Sequence, residues 1–191
     1  MDTRTALLNS AETAARQRGF DGFSYADLAR DVGIRKASIH HHFPKKADLA
    51  FTLIERYADQ FTKSLEQIAS VKSNAADKLR AYHALYRKAL AGGSQLCLCV
   101  AMSAGRGSLA APVLDRLNAF HQDSAEWLHR VYLEASKDGT VSGITHPEAE
   151  ARATLALMEG AQLIARAAEN TTGFDQATAA FLARLTETRV H

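Results

Sequence analysis

Along the first fifty residues, apolar positions fall in short helical clusters set apart by turn residues. Leu7/Leu8, Ala11 and Ala14/Ala15 recur at helical spacing, and Gly19 is a natural stop. Ser24 stands three residues before Asp27, a capping-box pattern with Asp in place of the usual Glu. Phe23 and Leu28 flank that start as a hydrophobic staple. The second helix is short, with Leu28, Ala29 and Val32 apolar and Gly33 at its end. The run from Arg35 to Phe43 predicts one or two further turns, with Ala37, Ile39 and Phe43 facing inward, and Pro44 breaks it.

The pattern then lengthens. Leu49, Leu53, Tyr57, Phe61, Leu65 and Ile68 form an i,i+4 ladder on one long helix. Asn74, three before Asp77, opens a helix carrying Leu79, Tyr82/His83, Tyr86 and Leu90, closed by Gly92-Gly93. Residues 96–104 are a short apolar helix ended by Gly105-Arg106-Gly107. Pro112 suits a first turn, and Val113, Leu117, Phe120, Ser124, Trp127/Leu128 and Val131 carry the next helix to Asp138-Gly139. Thr145 and Glu148 bracket Pro147 as another start, of a helix running to about Asn170. A last helix after Gly173 holds Phe174, Phe181, Leu182 and Leu185. The expectation is an all-α fold of about nine helices.

Composition agrees. Alanine (36) and leucine (21) far outnumber valine (7) and isoleucine (6), which disfavours sheet. With 191 residues, 47% of them hydrophobic, the chain suits one domain or two small ones with a real core. No apolar run approaches ~20 residues, so no membrane span is expected. The start lacks the layout of a secretory signal, and two cysteines do not make a disulfide scaffold, so a cytoplasmic protein is expected.

The net charge of +2 hides an asymmetry. Residues 33–47 hold Arg35, Lys36, Lys45 and Lys46, with His40, His41 and His42 and no acid, whereas basic and acidic residues cancel beyond residue 50. Two short helices joined by a tight glycine turn, the second basic, make a helix-turn-helix. Its second helix enters the major groove, which asks for outward donors; Arg35, Lys36, Ser38, His40 and His41 fit. Adjacent helical residues point ~100° apart, so the three histidines do not converge on one ion, and no metal or cofactor is expected.

The stretch from Leu7 to Leu53 resembles the DNA-binding domain of the TetR/AcrR family of bacterial transcriptional regulators. The likeness is carried by Ala14-Ala15, Gly19-Phe20, Ser24-Tyr25-Ala26-Asp27-Leu28-Ala29 and Val32-Gly33-Ile34. It continues through Lys36-Ala37-Ser38-Ile39 and Phe43-Pro44-Lys45-Lys46-Ala47-Asp48-Leu49. It implies a DNA-binding domain over residues 1–47 and a ligand-binding and dimerisation domain over 48–191. Contacts to double-stranded operator DNA are then expected from Ser24, Tyr25, Arg35, Lys36, Ala37, Ser38, His40, His41, Lys45 and Lys46. Two residues depart from the family pattern. His40 stands where the family generally has Tyr, and Lys45 where it favours a small cap, giving up ~1 kcal/mol. Lys46 holds the family's lysine and resembles a phosphate contact.

The resemblance also implies a homodimer joined by the last two helices. Residues 149–168, rich in Ala with Leu155, Met158, Leu163 and Ile164, have small and apolar groups on more than one side, and Ala161 and Ala165 are placed at the core or the seam. A small-molecule effector would lie between helices four and eight. Phe61, Leu65, His83, Tyr86, Cys97, Met102, Trp127, Glu159 and Arg166 are its candidate lining, with Trp127 a wall and Arg166 an anchor. Cys97-Leu98-Cys99 reads as two small core residues or, alternatively, as a reactive-thiol sensor in which Cys97 leads and Arg166 supplies a cation. On one helix these cysteines point ~200° apart, so a disulfide between them requires unwinding.

Enzyme signatures are missing: no G-x-S-x-G, H-E-x-x-H, P-loop or G-x-G-x-x-G occurs. Asp115, His121 and Ser124 fall on one helix with nothing to form an oxyanion hole. The expectation is therefore a ligand-released regulator, a repressor, and not an enzyme. The rival is a helical interaction protein without DNA binding.

Overall fold

The computed structural model describes residues 2–186. Within them the chain folds into nine α-helices: α1 (Thr3–Arg18), α2 (Tyr25–Val32), α3 (Lys36–His42), α4 (Lys46–Val71), α5 (Ala75–Ala89), α6 (Leu98–Ala104), α7 (Ala111–Asp138), α8 (Pro147–Ala167) and α9 (Thr172–Ala183). The extended pairing among these residues is one antiparallel bridge, Val141 to Leu185. None of the described helices is long and apolar enough to cross a membrane.

Helix ends follow the local chemistry. Ser24 caps α2 through a full capping box: the Asp27 N–H reaches Ser24 Oγ at 3.4 Å, and the Ser24 N–H donates to Asp27 Oδ2 at 2.9 Å. Gly33, at φ 74°, turns the chain into the left-handed region that ends α2. Asn74 Oδ1 accepts from the Asp77 N–H at 2.9 Å and starts α5.

Three expectations are corrected. The cap of α8 is His146, with no side-chain bond; Pro147 at the first turn and Glu148 and Glu150 facing the helix dipole supply the start that Thr145 does not. Leu185 lies beyond α9, in the bridge to Val141. Cys97 precedes α6 as its N-cap, with φ −53° and ψ 138°.

The chain forms two compact units. The first comprises residues 1–60 with 95–120, so α1, α2 and α3 share it with α6 and the starts of α4 and α7. Its core holds Leu7, Leu28, Ile39, Phe43, Leu49, Leu53 and Leu98. The second comprises residues 61–94 with 121–191, built around Leu79, Tyr82, Tyr86, Tyr132, Met158 and Phe174. α4 is continuous through residue 47 and contributes to both. In the second unit Gly93 sits at φ 101°, and a Cβ there would come within 2.4 Å of the Asn170 nitrogen.

Candidate functional site

α3 leaves Lys36, Ala37, Ser38, His40 and His41 exposed and buries Ile39, with Phe43 buried just past its end. Ala37 is therefore outward, not an inner anchor: a seven-residue helix has one narrow buried stripe, and Ile39 occupies it. His40 packs edge-on against the Tyr25 ring, with centroids 5.0 Å apart, and its Nδ1 lies 3.4 Å from the Pro44 carbonyl. Arg35 is exposed at the N-cap, and Lys45 is exposed between α3 and α4.

Three of the expected DNA contacts serve the fold. Tyr25 is buried and its hydroxyl donates to the Phe43 carbonyl at 2.9 Å; burial, then Asp48, pushes its pKa up to about 12, so it stays a neutral brace. Ser24 Oγ donates to Asp27 Oδ2 at 2.8 Å within the cap. Lys46 turns inward: Nζ donates to the Phe20 and Phe23 carbonyls, each at 2.7 Å, and sits 4.7 and 4.6 Å from their ring centroids. Burial lowers the pKa of this amine, against the pull of Asp21. A long side chain at a helix start reaches back to whatever carbonyls the turn presents, and residue type does not reveal which. Lys45 forgoes a side-chain cap, yet its N–H still donates to Asp48 Oδ2 at 3.0 Å. Arg4, unmarked by any motif, lies over the Phe43 ring at 5.3 Å, beside the end of α3.

The expected effector residues divide between the units. In the second, Phe61, Tyr82, Tyr86 and Trp127 form one aromatic cluster joined by Leu65, with the Tyr82 and Trp127 rings stacked at 5.6 Å. The Gln162 amide donates to the Tyr86 carbonyl at 2.7 Å. Glu159 faces His121 at 3.2 Å, and Arg166 pairs with Glu169 at 3.5 Å. His83 turns toward α9, 2.9 Å from Thr178 Oγ1 and against Phe174; burial lowers its pKa and keeps it neutral. It is a satisfied core histidine.

Cys97 and Met102 lie buried in the first unit. The groups around the Cys97 thiol are not the expected Arg166. Burial works to raise its pKa, but hydrogen bonds from the Cys99 thiol, the Tyr57 hydroxyl and the Val100 and Cys99 N–H groups bring it down to about 7. Tyr57 Oη to Cys97 Sγ is 3.3 Å. Tyr57 was legible only as a rung of the α4 ladder; the signal it carried is that a tyrosine in a core needs a partner for its hydroxyl.

The family model "Bacterial regulatory proteins, tetR family" matches residues 7–53. The crystal structure of a TetR-family transcriptional regulator from Agrobacterium tumefaciens superposes with a TM-score of 0.90 at 30% identity, over 97% of this chain and 98% of that one. The chain belongs to the TetR family. Its function is that of the family, ligand-responsive control of transcription from a helix-turn-helix head. The TetR-family repressor NemR of Escherichia coli (strain K12) is 26% identical over 168 residues, 86% of this chain and 84% of NemR. Its reduced form has the same fold, with a TM-score of 0.82 at 22% identity over 100% of both chains. AibR, solved with isovaleryl coenzyme A and operator DNA, shares the fold at a TM-score of 0.74 and 18% identity, over 96% of this chain and 98% of that one. TetR-family members bind operator DNA as dimers and respond to small molecules.

Proposed function

We propose that this chain is a cytoplasmic repressor that binds a palindromic operator as a homodimer and leaves it when a small molecule occupies its body. The observation that carries this is the row of exposed donors on α3, set within the matched segment. Residues 1–47 act as the DNA head and 48–191 as the effector and dimer body. Arg35, Lys36, Ser38, His40, His41 and Lys45 meet the DNA, Lys36 and Lys45 chiefly at phosphates. The aromatic cluster of Phe61, Tyr86 and Trp127, with Glu159 and Arg166 as polar candidates, forms the effector region. AibR supports this division, since the same fold there holds an acyl-coenzyme A and an operator.

The dimer reading rests on α8. Leu163 and Ile164 are 46% and 55% exposed, and Ala153, Ala156 and Ala167 lie exposed on the same helix. Ala161 and Ala165, at 2% and 0% exposure, belong to the chain's own core, so the seam is tested at Leu163 and Ile164 instead. Operator half-sites then lie about one helical turn, ~34–36 Å, or a multiple apart.

The deciding experiment is fluorescence anisotropy with DNA from upstream of the protein's own gene, across a salt series. Affinity should fall linearly on a log–log plot, and Lys36→Ala should lower that slope by about one unit. Binding without salt dependence, or none, would favour the helical interaction protein.

A second reading has its own observation. A Cys97 thiol held near pKa about 7 is substantially thiolate at neutral pH, which fits an electrophile-responsive repressor acting through Cys97. Alkylation with N-ethylmaleimide should accelerate as pH rises through about 7 and release the operator. Release of Cys97→Ser to the same extent would leave the thiol a structural role.

A further inference from the structure

Cys97 and Cys99 are the two cysteines of the chain, both free and buried, at 1% and 0% exposure. Had both been helical they would point apart. Cys97 instead is the non-helical N-cap of α6, at φ −53° and ψ 138°, and its sulfur and the Cys99 thiol share a hydrogen bond. At Cys97, the backbone departure from a regular helix that a bond between them would demand is already made.

We propose that the two thiols form one modification site, in which a small hydroperoxide oxidises Cys97 and Cys99 then closes an intrachain Cys97–Cys99 disulfide. This rests on the reading of Cys97 as a reactive thiol and adds Cys99 as its resolving partner. The Cys97 sulfur attacks the terminal peroxide oxygen; the O–O bond breaks, and the alcohol, or water from hydrogen peroxide, leaves with a proton. Cys97 is then a sulfenic acid. The Cys99 sulfur attacks the Cys97 sulfur, the S–O bond breaks, and the departing hydroxide takes the Cys99 proton as water. Two thiols have lost two electrons and two protons, and one peroxide has been reduced.

The surroundings favour this order and this reagent. Cys97 receives the Tyr57 hydroxyl at 3.3 Å and the Cys99 thiol besides, so it is the sulfur that attacks first. Cys97 is 1% exposed as a residue, which favours a small oxidant over a bulky one. The product has a route to the head within the same unit. Leu96, next to Cys97, is clipped to α1 in both directions: its N–H donates to the Arg16 carbonyl at 3.0 Å, and Arg16 Nε donates to the Leu96 carbonyl at 2.8 Å. The Arg16 guanidinium also lies 6.0 Å from the Tyr57 ring centroid. A disulfide takes the strong acceptor from Tyr57 and retensions the backbone one residue from that clip.

The test uses the full chain, reduced and then treated with one equivalent of hydrogen peroxide, read by intact mass and peptide mapping. Wild type should lose two hydrogen atoms and carry a link between residues 97 and 99 within one peptide, reversed by dithiothreitol. Cys99→Ser should stop at one added oxygen, captured by dimedone, and Cys97→Ser should stay unchanged. Should either variant fail to fold, the wild-type peptide map decides alone. Added oxygen at Cys97 with Cys99 still free, or a link between chains, overturns the pair. Alkylation of Cys97 without disulfide formation overturns it while leaving the Cys97 reading intact; two inert thiols overturn both.

Discussion

The outer face of α3 and the interior of the second unit treat polar atoms in opposite ways. On α3, Lys36, Ser38 and His41 point into solvent. In the second unit three buried polar pairs close at short range. Tyr132 and Thr154 share a hydrogen bond of 2.7 Å, His83 lies 2.9 Å from Thr178, and Gln162 reaches Tyr86 at 2.7 Å. A donor meant for a phosphate or base edge has to stay uncommitted until DNA arrives, whereas a buried donor without a partner costs stability. Lys36 and Lys46 show the two fates ten residues apart.

The largest effect comes from forcing a charge into the committed interior. Ala161→Glu buries a carboxylate with no cation to meet it, and should cost more than ~3 kcal/mol, read as loss of the cooperative thermal transition. Ile164→Glu should keep that transition and shift the sedimentation coefficient to that of a monomer, with loss of operator binding. A stable dimer of Ile164→Glu would remove α8 from the seam.

The lysine pair is next. Lys46→Ala loses two charge-assisted hydrogen bonds and should lower stability by about 1–2 kcal/mol while leaving the salt slope of DNA binding unchanged. Lys36→Ala should do the reverse. A reduced slope for Lys46→Ala would restore it as a phosphate contact. Tyr132→Phe strips the partner from Thr154 and should cost about 1–2 kcal/mol in urea unfolding, with no change in DNA affinity.

The smallest effect is at the α2 cap. Ser24→Ala should cost about 1 kcal/mol. Hydrogen bonds from the Ser24 N–H and hydroxyl, then from Arg30, hold the Asp27 carboxyl down at about 2. Its folded pKa is depressed, so its contribution is complete above the ordinary aspartate range and is lost as pH falls through about 2. Ser24→Ala should flatten the acid limb of the stability curve; an unchanged limb would mean the box contributes nothing there.

These contrasts explain what could be read in the chain. Ser24, Gly33 and Asn74 act through neighbours three to five residues away, so their roles were visible as spacing. The exposed face of α3 was visible for the same reason. Lys46 was misread because its partners, the Phe20 and Phe23 carbonyls, lie more than twenty residues back and are set by how the short 3-10 turn Phe20–Gly22 places the backbone. Cys97 was misread because a two-residue shift in the start of α6, from 96 to 98, takes it out of the helical register. His83 was legible as an apolar-face residue, but its choice of Thr178 over an effector depends on α9 packing that no local pattern encodes.

Gly93 has a consequence for inheritance. A Cβ there would collide with the backbone of Glu169 and Asn170, and the left-handed φ adds its own strain of ~1–3 kcal/mol, so a Gly93→Ala subunit should fail to fold before it can assemble. In a cell carrying one mutant and one normal copy, such a subunit is simply missing, and the allele is recessive. In the proposed homodimer a Lys36→Ala subunit should still fold and pair with normal subunits, weakening one half-site of each mixed dimer, so its allele should be dominant over the wild type.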